Sequence, residues 1–402
     1  MKTKGGGRNQ AQTGYGSVNT WMRRSFRGIL CILVVLGGCG DEEGAPPPPA
    51  APLPTTGPFA APIYAGYLKG MKICLDPGHG GRANRKGYKR GPTGLREAEV
   101  NLRVALYLRE FLEAGGAKVY MTRTRDIYLA EDEREDQRLR VEMANRNDCD
   151  VFVSIHHNAN DANPNANFVS VWYHDDPDHS PASLDVARQL AVALMDELRL
   201  PQQLGCPIMS DKLIYAKSGF AVLRQAKVPA VLCECSFHSN PEEESRLRNP
   251  EYNRREAHAL FVGLARYAYA GIPRVQLLDP PDGLLPESGA KAILIELNDG
   301  IRDRKSWGWD RPLILSDSIV VRQDGKDLPF TFDKQTNLLT VPLPSRLKLG
   351  SIRLEVRLMN LFKQSNPKTS LELKVVKKLP PNRPVARAAT APVPAPATEE
   401  SE

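Results

Sequence analysis

Between residues 67 and 272 the chain alternates short apolar runs with stretches of helical periodicity, and few architectures accept that alternation. Lys72-Ile73-Cys74-Leu75 predicts a short strand that runs into Asp76-Pro77-Gly78-His79-Gly80-Gly81. Val100, Val104, Tyr107, Leu108, Phe111 and Leu112 recur at helical spacing, and Gly115-Gly116 close that helix. Lys118 to Thr122 predicts a second strand, and Val151 to Ile155 a buried one that ends at His156. Ser183 is expected to cap a helix carrying Leu184, Ala187, Leu190, Ala191, Leu194 and Leu198. Val231 to Phe237 predicts another strand and Tyr252 to Tyr269 a final helix. Strands separated by helices imply an α/β domain with a mostly parallel sheet flanked by helices. In such folds ligands bind at the carboxyl ends of the strands.

His79 lies just beyond one strand end, His156 lies at another, and Glu234 sits within a third strand. A hydrolytic zinc takes about three protein ligands from His and Asp or Glu and keeps a position open for water. Hydrolysis also needs a carboxylate that is not a ligand and can take the water's proton. Two His and two Glu meet that requirement. Spacing alone does not choose them, because the candidates are far apart and the chain has no compact HExxH motif.

Four ordered motifs add a resemblance. They are Asp76-Pro77-Gly78-His79-Gly80-Gly81, Glu97-Ala98-Glu99-Val100-Asn101-Leu102, Ser154-Ile155-His156-His157-Asn158-Ala159, and Val231-Leu232-Cys233-Glu234 followed by Ser239-Asn240-Pro241. Together they resemble the zinc-dependent N-acetylmuramoyl-L-alanine amidases of the amidase_3 family, over about 200 of the 402 residues. Met121-Thr122-Arg123 and Arg140 with Ala144-Asn145 match intermediate signatures. The resemblance implies an amidase_3-like fold and Zn2+ as cofactor. It implies His79, Glu97 and His156 as zinc ligands and Glu234 as the catalytic glutamate. The substrate it implies is peptidoglycan, cut between N-acetylmuramic acid and the L-alanine of the stem peptide. His157 competes with His156, but successive strand side chains point to opposite faces, and the motif favours His156. Glu99 competes with Glu97 and is expected as an exposed first-turn acid.

Some features depart from the family's pattern. Arg82, Arg85, Lys86, Lys89 and Arg90 fill the loop before Gly91-Pro92-Thr93-Gly94, either to hold stem carboxylates or as a solvated charge run. Some relatives carry a long helical insertion that covers the zinc site. Here Trp172-Tyr173-His174 is followed within ten residues by the Ser183 helix, which resembles the short, open form. His174, His179, His238 and His258 are expected at the surface or in packing, with a minor site role open for His238. Beyond the leader the cysteines are Cys74, Cys149, Cys206, Cys233 and Cys235, an odd number, and Cys233 and Cys235 should face away from Glu234.

The two ends read differently. Arg23, Arg24 and Arg27 precede an apolar run from Ile29 to Leu36, too short at about 12 Å to span a bilayer as a helix. The run then reaches Leu36-Gly37-Gly38-Cys39. Residues 1–38 are expected as a secretory signal, with Met22 as a plausible alternative start. The Leu-Gly-Gly-Cys run resembles a bacterial lipobox, which implies acylation of Cys39, a membrane anchor and a location facing the periplasm or cell wall. An ordinary secreted protein with Cys39 incidental is the alternative. Residues 39–66 are Pro-rich and predict a tether. In 273–377 strict alternation at Ile352, Leu354, Val356 and Leu358, and at Leu371, Leu373 and Val375, predicts a small β-sandwich of immunoglobulin-like type. Asp324-Gly325 is expected to join Ile319-Val321 to Phe330-Phe332 as a hairpin. Trp307 and Trp309 are expected in core or edge packing more than in sugar binding. The Pro/Ala-rich tail 378–402 is expected to be disordered.

Charge excludes one class. The formal net charge is +7, but residues 1–30 hold six basic groups and no acid, and the remainder carries 48 basic and 47 acidic groups. The basicity belongs to the leader and points to no nucleic-acid partner. Mean hydropathy of −0.38 excludes a polytopic membrane protein. The expected protein is a monomeric peptidoglycan amidase, against two alternatives: a non-catalytic wall-binding lipoprotein on the same fold, and a zinc peptidase cutting protein.

Overall fold

In the computed structural model the described residues are 56–81, 89–176, 179–303, 308, 311–381 and 383. The leader, Cys39, most of the Pro-rich segment, Arg82, Arg85, Lys86, Trp307, Trp309 and the tail from 384 lie outside them.

Six strands form the first sheet: β1 (Lys72–Pro77), β2 (Lys118–Met121), β3 (Val151–Asn158), β4 (Ser170–Tyr173), β5 (Ile208–Ser210) and β6 (Ala230–Phe237). Their order is β2-β1-β3-β6-β4-β5. β1, β2, β3 and β6 are parallel neighbours, as expected, so their carboxyl ends share one edge. β4 runs antiparallel to β6, so the sheet is mixed. Among the described residues six α-helices flank it: α1 (Glu97–Ala114), α2 (Glu133–Arg146), α3 (Ala182–Leu198), α4 (Ala221–Arg224), α5 (Pro241–Leu247) and α6 (Pro250–Tyr269).

Strand alternation sorts the sheet into two faces. Ile73, Leu75, Val153, Ile155, Val231, Cys233 and Cys235 pack with α1, α3 and α6. Cys74, Phe152, Trp172 and Leu232 pack with Val141 and Ala144 of α2 and Leu223 of α4. Cys233 and Cys235 therefore face away from Glu234, as alternation requires.

The helix ends follow local chemistry. The Asp132 carboxylate accepts the Glu135 N–H at 2.9 Å and caps α2. Gly116, at φ +83°, lets the chain turn back after α1. Asn249 caps α6 ahead of Pro250 at its first position. The expected cap of α3 is corrected. Ser183 lies inside the first turn, and its Oγ accepts the Ala230 N–H at 3.0 Å, tying α3 to the start of β6.

The C-terminal strands are β7 (Arg274–Asp279), β8 (Leu284–Pro286), β9 (Ala292–Asn298), β10 (Val320–Gln323), β11 (Lys326–Asp327), β12 (Thr331–Asp333), β13 (Leu338–Pro342), β14 (Gly350–Arg357) and β15 (Ser370–Val376). One sheet has the order β11-β10-β14-β15-β8 and the other β12-β13-β9-β7. Ile295 and Leu339 of one sheet and Val321, Val356 and Leu373 of the other share an apolar core. β8 pairs parallel with β15, unlike the antiparallel sheets of an immunoglobulin fold. The expected hairpin is half right. Asp324 and Gly325, at φ +51° and +74°, make the tight turn, but it joins β10 to β11. Phe332 pairs with Leu339 in the other sheet.

Asn360 ties this region to the end of α6. Its buried amide donates to Ala270 O at 2.8 Å and Asp299 O at 2.9 Å, and its Oδ1 accepts the Phe362 and Gln364 N–H groups. Asn360→Ala strands these buried groups, and a loss of about 2–4 kcal/mol is expected by urea unfolding. An unchanged midpoint would show that the junction carries no stability.

Candidate metal centre

The centre is built where β1, β3 and β6 end. β1 stops at Pro77, and the chain then enters the left-handed region at His79, Gly80 and Gly81 (φ +59°, +138° and +51°). Gly78 must be glycine. A Cβ there would lie 2.2 Å from the His156 ring, so the backbone passes directly under that imidazole.

Buried charge holds this turn. Asp76 accepts Thr122 Oγ1 and Ser154 Oγ, each at 2.7 Å, and pairs with Arg140 of α2 at 2.8 Å. The Arg140 guanidinium also donates to Pro77 O and His79 O, and to Asp136 at 2.6 Å. Arg123, equally buried, donates to Pro77 O, Gly78 O and Ala98 O. Burial alone would push the Asp76 carboxyl up, but Arg140 and the two hydroxyls outweigh it and hold it below the ordinary value.

Glu97 opens α1 and is 2% exposed. The loop before it is fastened by Glu244 of α5, which accepts Thr93 N–H at 2.8 Å and Leu95 N–H at 2.9 Å. Glu97 Oε2 lies 3.0 Å from His79 Nε2, and Glu97 Oε1 lies 3.0 Å from His156 Nδ1. One ligand atom from each of the three lies within 4.8 Å of the others, and among the described residues no other such group exists. Burial would raise the Glu97 carboxyl, yet the two imidazoles hold it well below its ordinary range. Burial lowers His79 to about 4 against the pull of Glu97, which keeps it neutral with a lone pair to offer.

Glu234 stands beside them. It pairs in register with His156 across β3 and β6, so both side chains leave the same face. Its Oε2 is buried without a hydrogen-bond partner. Burial raises its carboxyl to about 7, with the Glu97 charge adding and the His156 charge opposing. Two imidazoles, one ionised carboxylate and a second, unpaired carboxylate suit a divalent metal with a proton acceptor at its side.

The family model described as N-acetylmuramoyl-L-alanine amidase, Amidase_3, matches residues 73–266. The germination-specific N-acetylmuramoyl-L-alanine amidase of Bacillus subtilis is 31% identical over 210 residues, which are 50% of this chain and 81% of that protein. The chain belongs to the N-acetylmuramoyl-L-alanine amidase family. The probable cell wall amidase LytH of Staphylococcus epidermidis is 32% identical over 201 residues, but the match covers only 59% of that protein. A solved N-acetylmuramoyl-L-alanine amidase from Clostridium difficile 630 is 27% identical with a TM-score of 0.42, covering 50% of this chain and 97% of that one.

Of the residues singled out in the motifs, His79, Glu97 and His156 meet, and Glu234 stands beside His156 on the neighbouring strand. His157 turns away to Asn101 and Glu256. Glu99 is exposed on α1 beside Arg103. Of the basic loop, Lys89 and Arg90 are described, and Arg90 donates to Gly94 O. α3 begins eight residues after His174, too few for a long inserted helix between them. His174 is buried against Asp211, and His258 packs on Phe59 and Phe111. His238 is buried, and its Nδ1 lies 2.9 Å from His157 O. The roles of Asp76, Glu244 and Asn101 were not anticipated. Their only signal was their place in or near the ordered motifs.

Arg140→Met leaves the Asp76 carboxylate buried and unpaired and should lower stability by about 3–5 kcal/mol. Because the folded Asp76 value is depressed, that contribution is present above pH ~4 and fades as pH falls through the folded value. Urea unfolding of both proteins against pH checks this, and a difference independent of pH would refute the pairing.

Proposed function

We propose that this chain is an exported, zinc-dependent amidase that cuts the amide between N-acetylmuramic acid and the L-alanine of the peptidoglycan stem. The observation that carries the reading is Glu97 clasped between two imidazoles with the unpaired Glu234 carboxylate on the adjacent strand. His79 Nε2, His156 Nδ1 and a Glu97 oxygen would hold the metal. The two hydrogen-bonded contacts to Glu97 mark the places where an ion would replace protons. When bound, zinc supplies a Lewis acid for the amide carbonyl and makes water more acidic.

The chain's own groups do the rest. Glu234 Oε2, desolvated and with a value near neutrality, takes a proton from the attacking water and returns it to the leaving nitrogen. Asp76, Arg123 and Arg140 fix the turn that carries His79. Lys89, whose charge is felt at Glu234 and His79, would receive a stem carboxylate. In this reading the two-sheet β unit of residues 273–377 positions the catalytic unit of residues 67–272. The protein works as a monomer, tethered to the membrane through Cys39.

Glu234→Gln is expected to keep its zinc, by elemental analysis, and to lose about 10²–10⁴-fold in turnover, erasing its band in a cell-wall zymogram. A chelator should erase the wild-type band. A Glu234→Gln chain that clears wall at the wild-type rate would overturn the assignment. Separately, cells fed labelled palmitate should label the exported protein and not its Cys39→Ser variant, and an unlabelled wild type would remove the anchor.

A further inference from the structure

Four buried side chains form a line that starts on α6 and ends at Glu97. Glu256 Oε1 lies 3.0 Å from His157 Nε2, and His157 Nδ1 lies 2.8 Å from Asn101 Oδ1. The Asn101 amide nitrogen donates to Glu97 Oε1 at 3.3 Å and to Gly78 O at 3.2 Å. The backbone N–H of His157 also reaches Glu97 Oε1, at 3.2 Å. Asn253 braces the far end by donating to Glu256 Oε2 at 3.4 Å. Asn101, Asn253 and Glu256 are 0% exposed, and His157 is 1% exposed.

The polarity of this line is fixed by chemistry. An amide oxygen only accepts, so His157 Nδ1 must carry the proton that faces Asn101. Asn101 must then aim its NH2 at Glu97 and Gly78. The flipped amide would set its oxygen against a carbonyl and a carboxylate while leaving the His157 N–H without an acceptor. Glu256 fixes the His157 ring from the other side. Asn101 thereby touches all three segments of the centre: the residue before His79, Glu97 itself, and the residue after His156.

We propose that Glu256 and Asn101 are positioning residues for the metal centre, with Glu256 acting through His157 to set the amide that orients the Glu97 carboxylate. Neither would touch the ion or the substrate. Their effect is to hold Glu97 in one rotamer with its oxygens on His79 and His156, so that little ordering remains to be done when an ion enters. This rests on the zinc reading of His79, Glu97 and His156. Outer partners of metal ligands commonly set affinity by one to two orders of magnitude.

The test measures zinc affinity of the full chain by competition with a chelating dye, alongside the visible spectrum of the cobalt-loaded protein. Glu256→Ala and Asn101→Leu should each weaken zinc binding about 10–100-fold. Glu256→Gln, which keeps a hydrogen-bonding group at His157 Nε2, should restore most of it. The double variant Asn101→Leu/Glu256→Ala should bind no more weakly than Asn101→Leu alone, because both lie on one line. The cobalt bands should shift in Glu256→Ala although no ligand has changed. If Glu256→Ala does not fold, Asn101→Leu carries the same test by affinity and spectrum, with Glu256→Gln expected to stay close to the wild type. Wild-type affinity and superimposable cobalt bands in the folded Asn101→Leu or Glu256→Ala variant would overturn the proposal, as would fully additive losses. A wild-type chain that binds no zinc would instead defeat the reading on which it rests.

Discussion

The ion pair between Asp76 and Arg140 is the interaction on which the rest of the centre depends. It closes the carboxyl end of β1 and puts a guanidinium against the carbonyls of Pro77 and His79. Burying two charges is expensive unless each remaining lone pair and N–H finds a partner. Here Thr122, Ser154 and Asp136 complete the set. The same arrangement makes a strained backbone tolerable. His79 stands at positive φ without being glycine, and its own carbonyl is gripped by Arg140 while Arg123 grips the carbonyls of the two residues before it.

Geometry above that turn comes from the sheet. Parallel register places His156 and Glu234 side by side on one face, and a helix start presents Glu97 between the imidazoles. The sheet thus sets one ionised carboxylate between two imidazoles and one desolvated carboxylate whose Oε2 has no hydrogen-bond partner. Two glutamates of identical chemistry are pushed in opposite directions by their surroundings, one well below its usual range and one up to about 7. A division of labour between a binding group and a proton carrier needs such a difference.

Much of this was legible in the amino-acid sequence, but unevenly. The α/β alternation and most strand and helix positions followed from periodicity. His79, Glu97, His156 and Glu234 were legible only as members of four ordered motifs, since their separation in the chain hides their convergence. Strand direction was not legible. β4 is four residues long, and apolar alternation is the same whichever way a strand runs. Ser183 is a good cap by type, yet the fold spends its hydroxyl on the Ala230 N–H. The Asp324-Gly325 turn was legible because its φ values demand those residues, whereas the strand it joins was decided by packing in two sheets. Asp76 with Arg140, and Asn101 with Glu256, are long-range pairings, and a single sequence carries no record of them.

The central claim is that His79, Glu97, His156 and Glu234 together cut one particular amide. Mass spectrometry of purified peptidoglycan digested by the full chain tests it most directly. Free stem peptides beginning with an unblocked L-alanine are expected, together with glycan strands whose muramic acid lactyl groups are free, and neither product in the presence of a chelator. Products cut within the peptide or between sugars, or the same release under chelation, would contradict it.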